Sequence, residues 1–237
     1  MPEPQTAGAS TTPLDPPYGF GDYRSSLLRS PGKALVVPPA GLSELTGPKF
    51  GSGDVRDTDS DLTMHGSGEA IGERIIVHGK VADSTGRPVR NTLVELWQAN
   101  AAGRYVHKLD QHPAPLDPNF VGAGRCLTDD EGHYRFTTIK PGPYPWKNHD
   151  NAWRPAHIHF SLFGRAFTQR LITQMYFPGD PLFFQDPIYN SVRDERARKR
   201  MISSYDHAMT AAEWATGYRF DIVLGGAGAT PLEDQGA

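Results

Sequence analysis

The sequence predicts an all-β protein: a β-sandwich of mainly antiparallel strands with long loops, an extended N-terminal arm and a few short helices. Three observations carry that expectation. Glycine and proline account for 25 and 21 of the 237 residues, which favours turns and short strands over long helices. From residue 73 onward, short β-branched or aromatic runs recur between turn residues. The best helical stretch, residues 194–203 (DERARKRMIS), is short and has a poor apolar face.

Along the chain, residues 1–17 are rich in proline, threonine and alanine and read as disordered or as an arm laid on a partner. A short helical turn is expected over 23–29, a strand fragment over 35–37, and a polar loop rich in Asp and Gly over 50–68. A stretch this long with so little structure of its own needs something to lie against. Residues 1–70 are therefore expected to form an N-terminal arm and loops that pack on a partner subunit, and 71–237 the sandwich. Its strands are expected at 74–81 (RIIVHGKV), 92–99 (TLVELWQA), 133–139 (HYRFTTI), 156–163 (AHIHFSLF), 170–177 (RLITQMYF) and 218–224 (YRFDIVL). Residues 83–88 (DSTGRP) and 129–132 (DDEG) carry the turn residues between them.

Composition removes several classes of function. A net charge of −3 gives no reason to expect nucleic acid or an anionic membrane as partner. The single cysteine, Cys126, rules out an intrachain disulfide or a cysteine-rich metal site and reads as a small buried apolar residue. No apolar run is long enough to span a bilayer, and the first residues lack the basic start and apolar centre of a secretory signal, so a cytoplasmic protein is expected.

Chemistry concentrates in residues 140–160, KPGPYPWKNHDNAWRPAHIHF. On a strand beginning at Ala156, the residues Ala156, Ile158, Phe160 and Leu162 share an apolar face, and His157, His159 and Ser161 share the other. Histidines two apart on a strand sit roughly 6.5–7 Å apart at Cα, close enough for both rings to converge on one ion. Two solvent-facing histidines on an edge strand would give the same pattern. Tyr144 lies between Pro143 and Pro145, which stiffen the backbone and aim its side chain; an exposed turn tyrosine is the plainer reading. Tyr105 follows the strand ending near Trp97, where ordinary packing would also account for it. If both tyrosines joined the histidines, the donor set would be two neutral nitrogens and two phenolate oxygens. Such a set suits a trivalent ion, iron being the usual one, whereas zinc favours cysteine, histidine or carboxylate.

Segments 71–81 (IGERIIVHGKV), 91–105 (NTLVELWQANAAGRY), 114–136 (APLDPNFVGAGRCLTDDEGHYRF), 138–146 (TIKPGPYPW), 153–160 (WRPAHIHF) and 171–182 (LITQMYFPGDPL) together resemble the intradiol ring-cleaving dioxygenases. The resemblance covers roughly residues 20–224 and is greatest to the iron-bearing β chains of heteromeric members that cleave protocatechuate. It implies one Fe(III) per chain held by Tyr105, Tyr144, His157 and His159, with Tyr105 and His157 equatorial and Tyr144 and His159 axial. It implies an α-type partner chain that resembles the β chain but lacks a competent iron site, and cleavage of protocatechuate by dioxygen to 3-carboxy-cis,cis-muconate in aromatic catabolism. Tyr144 would leave the iron when substrate binds and take up a catechol proton.

By the same resemblance Arg154 would meet negative charge developing near the reacting ring carbon, and Gln174 would lie near the oxygen-binding side. Tyr23, Trp97, Trp146 and Ile188 would line the aromatic pocket. A surface salt bridge for Arg154, a buried structural amide for Gln174 and simple core packing for the pocket residues are the plainer alternatives. Catechol 1,2-dioxygenases, also in this family, carry a helical N-terminal dimerisation segment, for which residues 1–70 are too rich in proline. Another catechol as substrate, a noncatalytic β-sandwich binding module and a zinc hydrolase are the competing functions. Two tyrosines and two histidines in order count against the module, and the missing carboxylate ligand counts against the zinc hydrolase.

Overall fold

The computed structural model describes residues 16–33, 52–146, 153–163 and 170–232. Two sheets face each other. In the first, the long strand β1 (Arg74–Asp83) is central: β4 (His133–Ile139) pairs antiparallel along one side of it. On its other side β1 pairs in parallel, first with β10 (Thr216–Arg219) and then with β11 (Ile222–Leu224), while β9 (Ser204–Tyr205) lies antiparallel to β10. The second sheet has the order β3–β2–β7–β8, formed by Ala123–Leu127, Leu93–Trp97, His157–Phe163 and Arg170–Tyr176, all antiparallel. A two-residue ladder joins β5 (Tyr144–Pro145) to β6 (Trp153–Arg154). This is the expected β-sandwich.

The core follows from strand alternation. Ile75, Val77 and Val81 of β1, Tyr134 and Phe136 of β4, Val94 and Leu96 of β2, and Ile158, Phe160 and Leu162 of β7 interlock as one cluster. Every second residue of β7 is thereby committed to the core, which turns His157, His159 and Ser161 to the other face. That face is covered. Helices α2 (Pro187–Ser191) and α3 (Glu195–Lys199) and the residues around them pack on it, with Tyr176, Val192, Ala197 and Met201 forming a second apolar cluster.

Several expectations are refined. The short helix at 23–29 is present as α1 (Arg24–Arg29). The helix expected over 194–203 is shorter: Asp194 caps α3 by accepting from the backbone N–H groups of Arg196 and Ala197, and the helix ends at Lys199. The run 218–224 is two strands broken at Phe220 and Asp221, where β1 exchanges one neighbour for the next. Strand β3 was not anticipated, because its sequence AGRCL has neither alternation nor β-branched residues. In the polar stretch after residue 50, two 3-10 turns (Ser52–Asp54 and Asp57–Ser60) precede Leu62, which is fully buried in the main core and whose N–H donates to the Thr137 carbonyl. The strand fragment expected at 35–37 lies outside the described residues. No helix among them is long and apolar enough to cross a membrane.

Candidate metal centre

Tyr105, Tyr144, His157 and His159 meet at one place on the outer face of the β7 sheet. Tyr144 Oη lies 3.4 Å from His157 Nε2, and Tyr105 Oη lies 3.2 Å from His159 Nε2. The two imidazole rings are 4.9 Å apart between centroids, and the two phenol rings meet edge-on at 5.3 Å. Both histidines are buried, 2% and 8% exposed, because β7 lies between β2 and β8 rather than at an edge.

The tyrosines reach this spot through two touching loops. Asn100 ends β2's extension as a turn: its side-chain oxygen accepts from the Ala102 and Arg104 N–H groups, and its carbonyl accepts from Gly142 N–H. Gly103, at φ +77°, lies so close to the Pro143 carbonyl that a Cβ there would come within 2.2 Å of it. At Gly142 a Cβ would come within 2.4 Å of the Ala101 carbonyl. Only glycines allow the Tyr105 loop and the Tyr144 loop to approach this closely. Beyond the turn, Asp110 accepts from the N–H groups of Tyr105 and His112 at 2.7 and 2.8 Å, and Arg104 gathers the carbonyls of Asp110, His112 and Ala114. The loop carrying Tyr105 thus has its own polar frame.

The donor set fits the expected ion. His157 Nδ1 is 2.7 Å from the Pro155 carbonyl, an acceptor, so the ring proton sits on Nδ1 and the Nε2 lone pair faces Tyr144. Burial, with Arg154 and His159 beside it, holds the His157 imidazole well below its ordinary range, hence neutral. Burial pushes the Tyr144 phenol up, against the pull of Arg154. His159 stacks flat on Trp97, with centroids 4.8 Å apart and 6° between planes. Two imidazole nitrogens and two phenol oxygens, converging in a buried place beside a cleft, suit a hard, highly charged cation.

Arg154 is not in a surface salt bridge. It is 2% exposed and pairs with Asp186, which is fully buried, at 3.2 Å from Nε and 2.9 Å from Nη2. Burial opposes its charge, but Asp186, with Tyr144 and Tyr176 beside it, outweighs this and keeps the guanidinium ionised. Nη2 also donates to Gln174 Oε1 at 2.6 Å, and Nη1 reaches His157 Nε2 at 2.9 Å and Tyr144 Oη at 3.4 Å. Gln174 therefore touches the site through Arg154, and Tyr176, whose single hydroxyl hydrogen is shared between Gln174 Oε1 at 2.7 Å and Asp186 Oδ2 at 3.0 Å, completes the network.

A cleft of about 490 Å³ opens beside Tyr105 and Tyr144 and is lined further by Asp110, Gln111, His112 and Trp146. Of the expected pocket residues, Trp146 lines it, and Tyr23 packs edge-on against Trp146 at 5.0 Å. Arg154 lies over the Trp146 ring at 5.3 Å. Trp97 stands behind His159 and borders a separate cleft with Glu95 and Arg125. Ile188 is buried on α2 next to Asp186. Sequence reasoning missed Asp186, whose only local signal is an aspartate before proline at a helix start, and gave Tyr176 no role.

Comparison with known proteins places this sandwich in a class of oxygenase. A family described as Dioxygenase matches residues 45–226. The chain belongs to the intradiol ring-cleaving dioxygenases. It is 58% identical over 223 residues to the protocatechuate 3,4-dioxygenase beta chain of Burkholderia cepacia, covering 93% of this chain and 94% of that one. It is 32% identical over 168 residues to the protocatechuate 3,4-dioxygenase alpha chain of Pseudomonas putida, covering 70% and 78%. The crystal structure of 3-chlorocatechol 1,2-dioxygenase from Rhodococcus opacus superposes with a TM-score of 0.53 at 27% identity, over 72% of this chain and 67% of that one.

Proposed function

We propose that this chain is the iron-bearing β subunit of a protocatechuate 3,4-dioxygenase, cleaving protocatechuate between its hydroxyl-bearing carbons to 3-carboxy-cis,cis-muconate. The observation that carries this reading is the convergence of Tyr105, Tyr144, His157 and His159 beside an open cleft. These four residues would hold one Fe(III), which supplies Lewis acidity toward a bound catecholate and orients it for dioxygen. The names of the similar beta and alpha chains support an α-type partner. In this reading residues 1–70 would be the arm that packs on that partner and 71–237 the catalytic sandwich; Leu62, near the end of the first segment, lies in the sandwich's own core.

The roles of the side chains follow from their places. Tyr144 Oη, at the cleft wall, would be a phenolate only while the ion holds it, and as such could accept a proton from the incoming catechol and become the neutral phenol that its burial favours. Tyr105, His157 and His159 are the donors held most firmly in place: one is framed by Asp110, one by Pro155, one by Trp97. Arg154 offers Nη1 to the negative charge that develops on the substrate in a buried site, where a fixed cation is worth most. Trp146, steadied by Tyr23, forms the aromatic wall.

The test is co-production with an α-type chain, then iron analysis, visible absorption and dioxygen uptake on a panel of catechols. A red-brown protein with one iron per β chain that consumes equimolar dioxygen with protocatechuate is expected. A colourless protein with stoichiometric zinc would overturn the iron reading, and uptake with catechol or hydroxyquinol but not protocatechuate would overturn the substrate.

A further inference from the structure

Arg154 has five N–H donors in a rigid plane, and the structure accounts for all of them. Nε and one hydrogen of Nη2 go to the two oxygens of Asp186, at 3.2 and 2.9 Å, in a side-on fork. The other hydrogen of Nη2 is shared between Gln174 Oε1 at 2.6 Å and Tyr176 Oη at 3.2 Å. Only the Nη1 edge points toward the donor atoms of His157 and Tyr144.

A guanidinium can turn about its bonds, so something must choose which edge faces the site. Asp186 is that group by geometry. Its fork fixes the plane and the in-plane rotation of the guanidinium together, which a single hydrogen bond to Gln174 cannot do. Asp186 is itself immobilised from three sides. Its Oδ1 accepts from Ile188 N–H at 3.2 Å as the N-cap of α2, with Pro187 following at the first helical position. Its Oδ2 accepts from Tyr176 at 3.0 Å, and its N–H donates to the Leu182 carbonyl at 3.1 Å.

We propose that Asp186 is a positioning residue for the ring-cleavage reaction: it aims the Nη1 edge of Arg154 at the reacting substrate and sets its orientation through the start of α2. The same turn places Ile188, so Asp186 ties the aim of the cation to the packing beside it. This rests on the function proposed above, and the experiment separates the two failures, because the wild-type holoenzyme must first carry iron and cleave protocatechuate.

Asp186→Asn keeps the size of the side chain and one acceptor but sets an NH2 group against a guanidinium N–H, so the fork cannot form. In the holoenzyme, iron content and charge-transfer absorbance should stay within about 20% of wild type. KM for protocatechuate should move less than about threefold while kcat falls about 10- to 100-fold, part of what a fixed charge contributes to a transition state. A residue acting through another loses its effect when the other is gone. Arg154→Ala and Arg154→Ala/Asp186→Asn should therefore have the same kcat within about twofold. Arg154→Ala leaves the Asp186 charge unpaired and the double variant does not, so each kcat is taken per iron-loaded site, which corrects for the fraction folded. A normal kcat in Asp186→Asn, or a further loss of more than threefold in the double variant relative to Arg154→Ala, would overturn the proposal.

Discussion

His157 and His159 are held by different means, and the difference explains why alternation on one strand can build a site. The Pro155 carbonyl fixes the tautomer of His157 through Nδ1, whereas Trp97, across the ladder on β2, gives His159 a flat wall to stack on. Each lone pair is then presented without rotational freedom, and little entropy remains to be lost when a ligand is bound. Elsewhere on this sheet, burial outweighs an opposing backbone hydrogen bond at Arg135. Cys126 on β3 packs against the main core, and that burial pushes its thiol from an ordinary value near 9 to about 12. Because the thiolate is the nucleophile, alkylation by iodoacetamide at pH 8 should run about 10³-fold slower than for a free thiol. Stability should carry the matching sign: the neutral thiol favoured by the fold costs nothing below pH 9, and the folded state loses ground as pH climbs from 9 toward 12. Mass spectrometry of the native and the denatured protein reads the first effect, and rapid native labelling would show that Cys126 is not packed as described.

At the scale of elements, the site depends on two loops meeting at glycines rather than on any one strand. Gly142→Ala would drive a methyl group into the Ala101 carbonyl and separate the Tyr105 loop from the Tyr144 loop. Overpacking of this kind costs about 1–3 kcal/mol, and here the strain falls between two ligand loops. The expected result is a purified protein with iron below half of the wild-type content and a weakened visible band. Gly228→Ala, which meets open space, should keep both unchanged. Full iron in Gly142→Ala would show that the loops adjust independently. This loop contact also marks where sequence reading ends. Tyr144 between prolines and the alternating histidines of β7 are local patterns, so they could be read directly. The Asn100 turn, the Gly103–Pro143 approach and the Arg154–Asp186 pair join residues far apart in the chain, and no local period encodes them. The split of 218–224 into β10 and β11 was hidden for the same reason, since the break arises from β1 changing neighbours.

For the molecule as a whole, β7 is the shared wall between what holds the fold together and what the fold does. On its inner face Phe160 contacts Phe136 and Tyr134 of β4 and packs 5.3 Å from Phe220, so one side chain bridges the two sheets. On its outer face lie His159 and Ser161, which flank Phe160 in sequence, with His157 two residues before His159. A defect on the inner side must therefore be felt at the outer one, because the strand is stiff and its ladders to β2 and β8 fix both faces at once. Phe160→Ala removes a fully buried aromatic ring and should cost about 3–5 kcal/mol. For a chain of this size that corresponds to a fall in Tm of about 10 °C. Below the new transition, iron should still be bound, since none of its donors is altered; within the transition, loss of the visible band and loss of β-sheet circular dichroism should coincide. Iron release at a temperature well below the loss of sheet signal would show instead that the outer face melts on its own, with α2 and α3 lifting from a sandwich that remains intact.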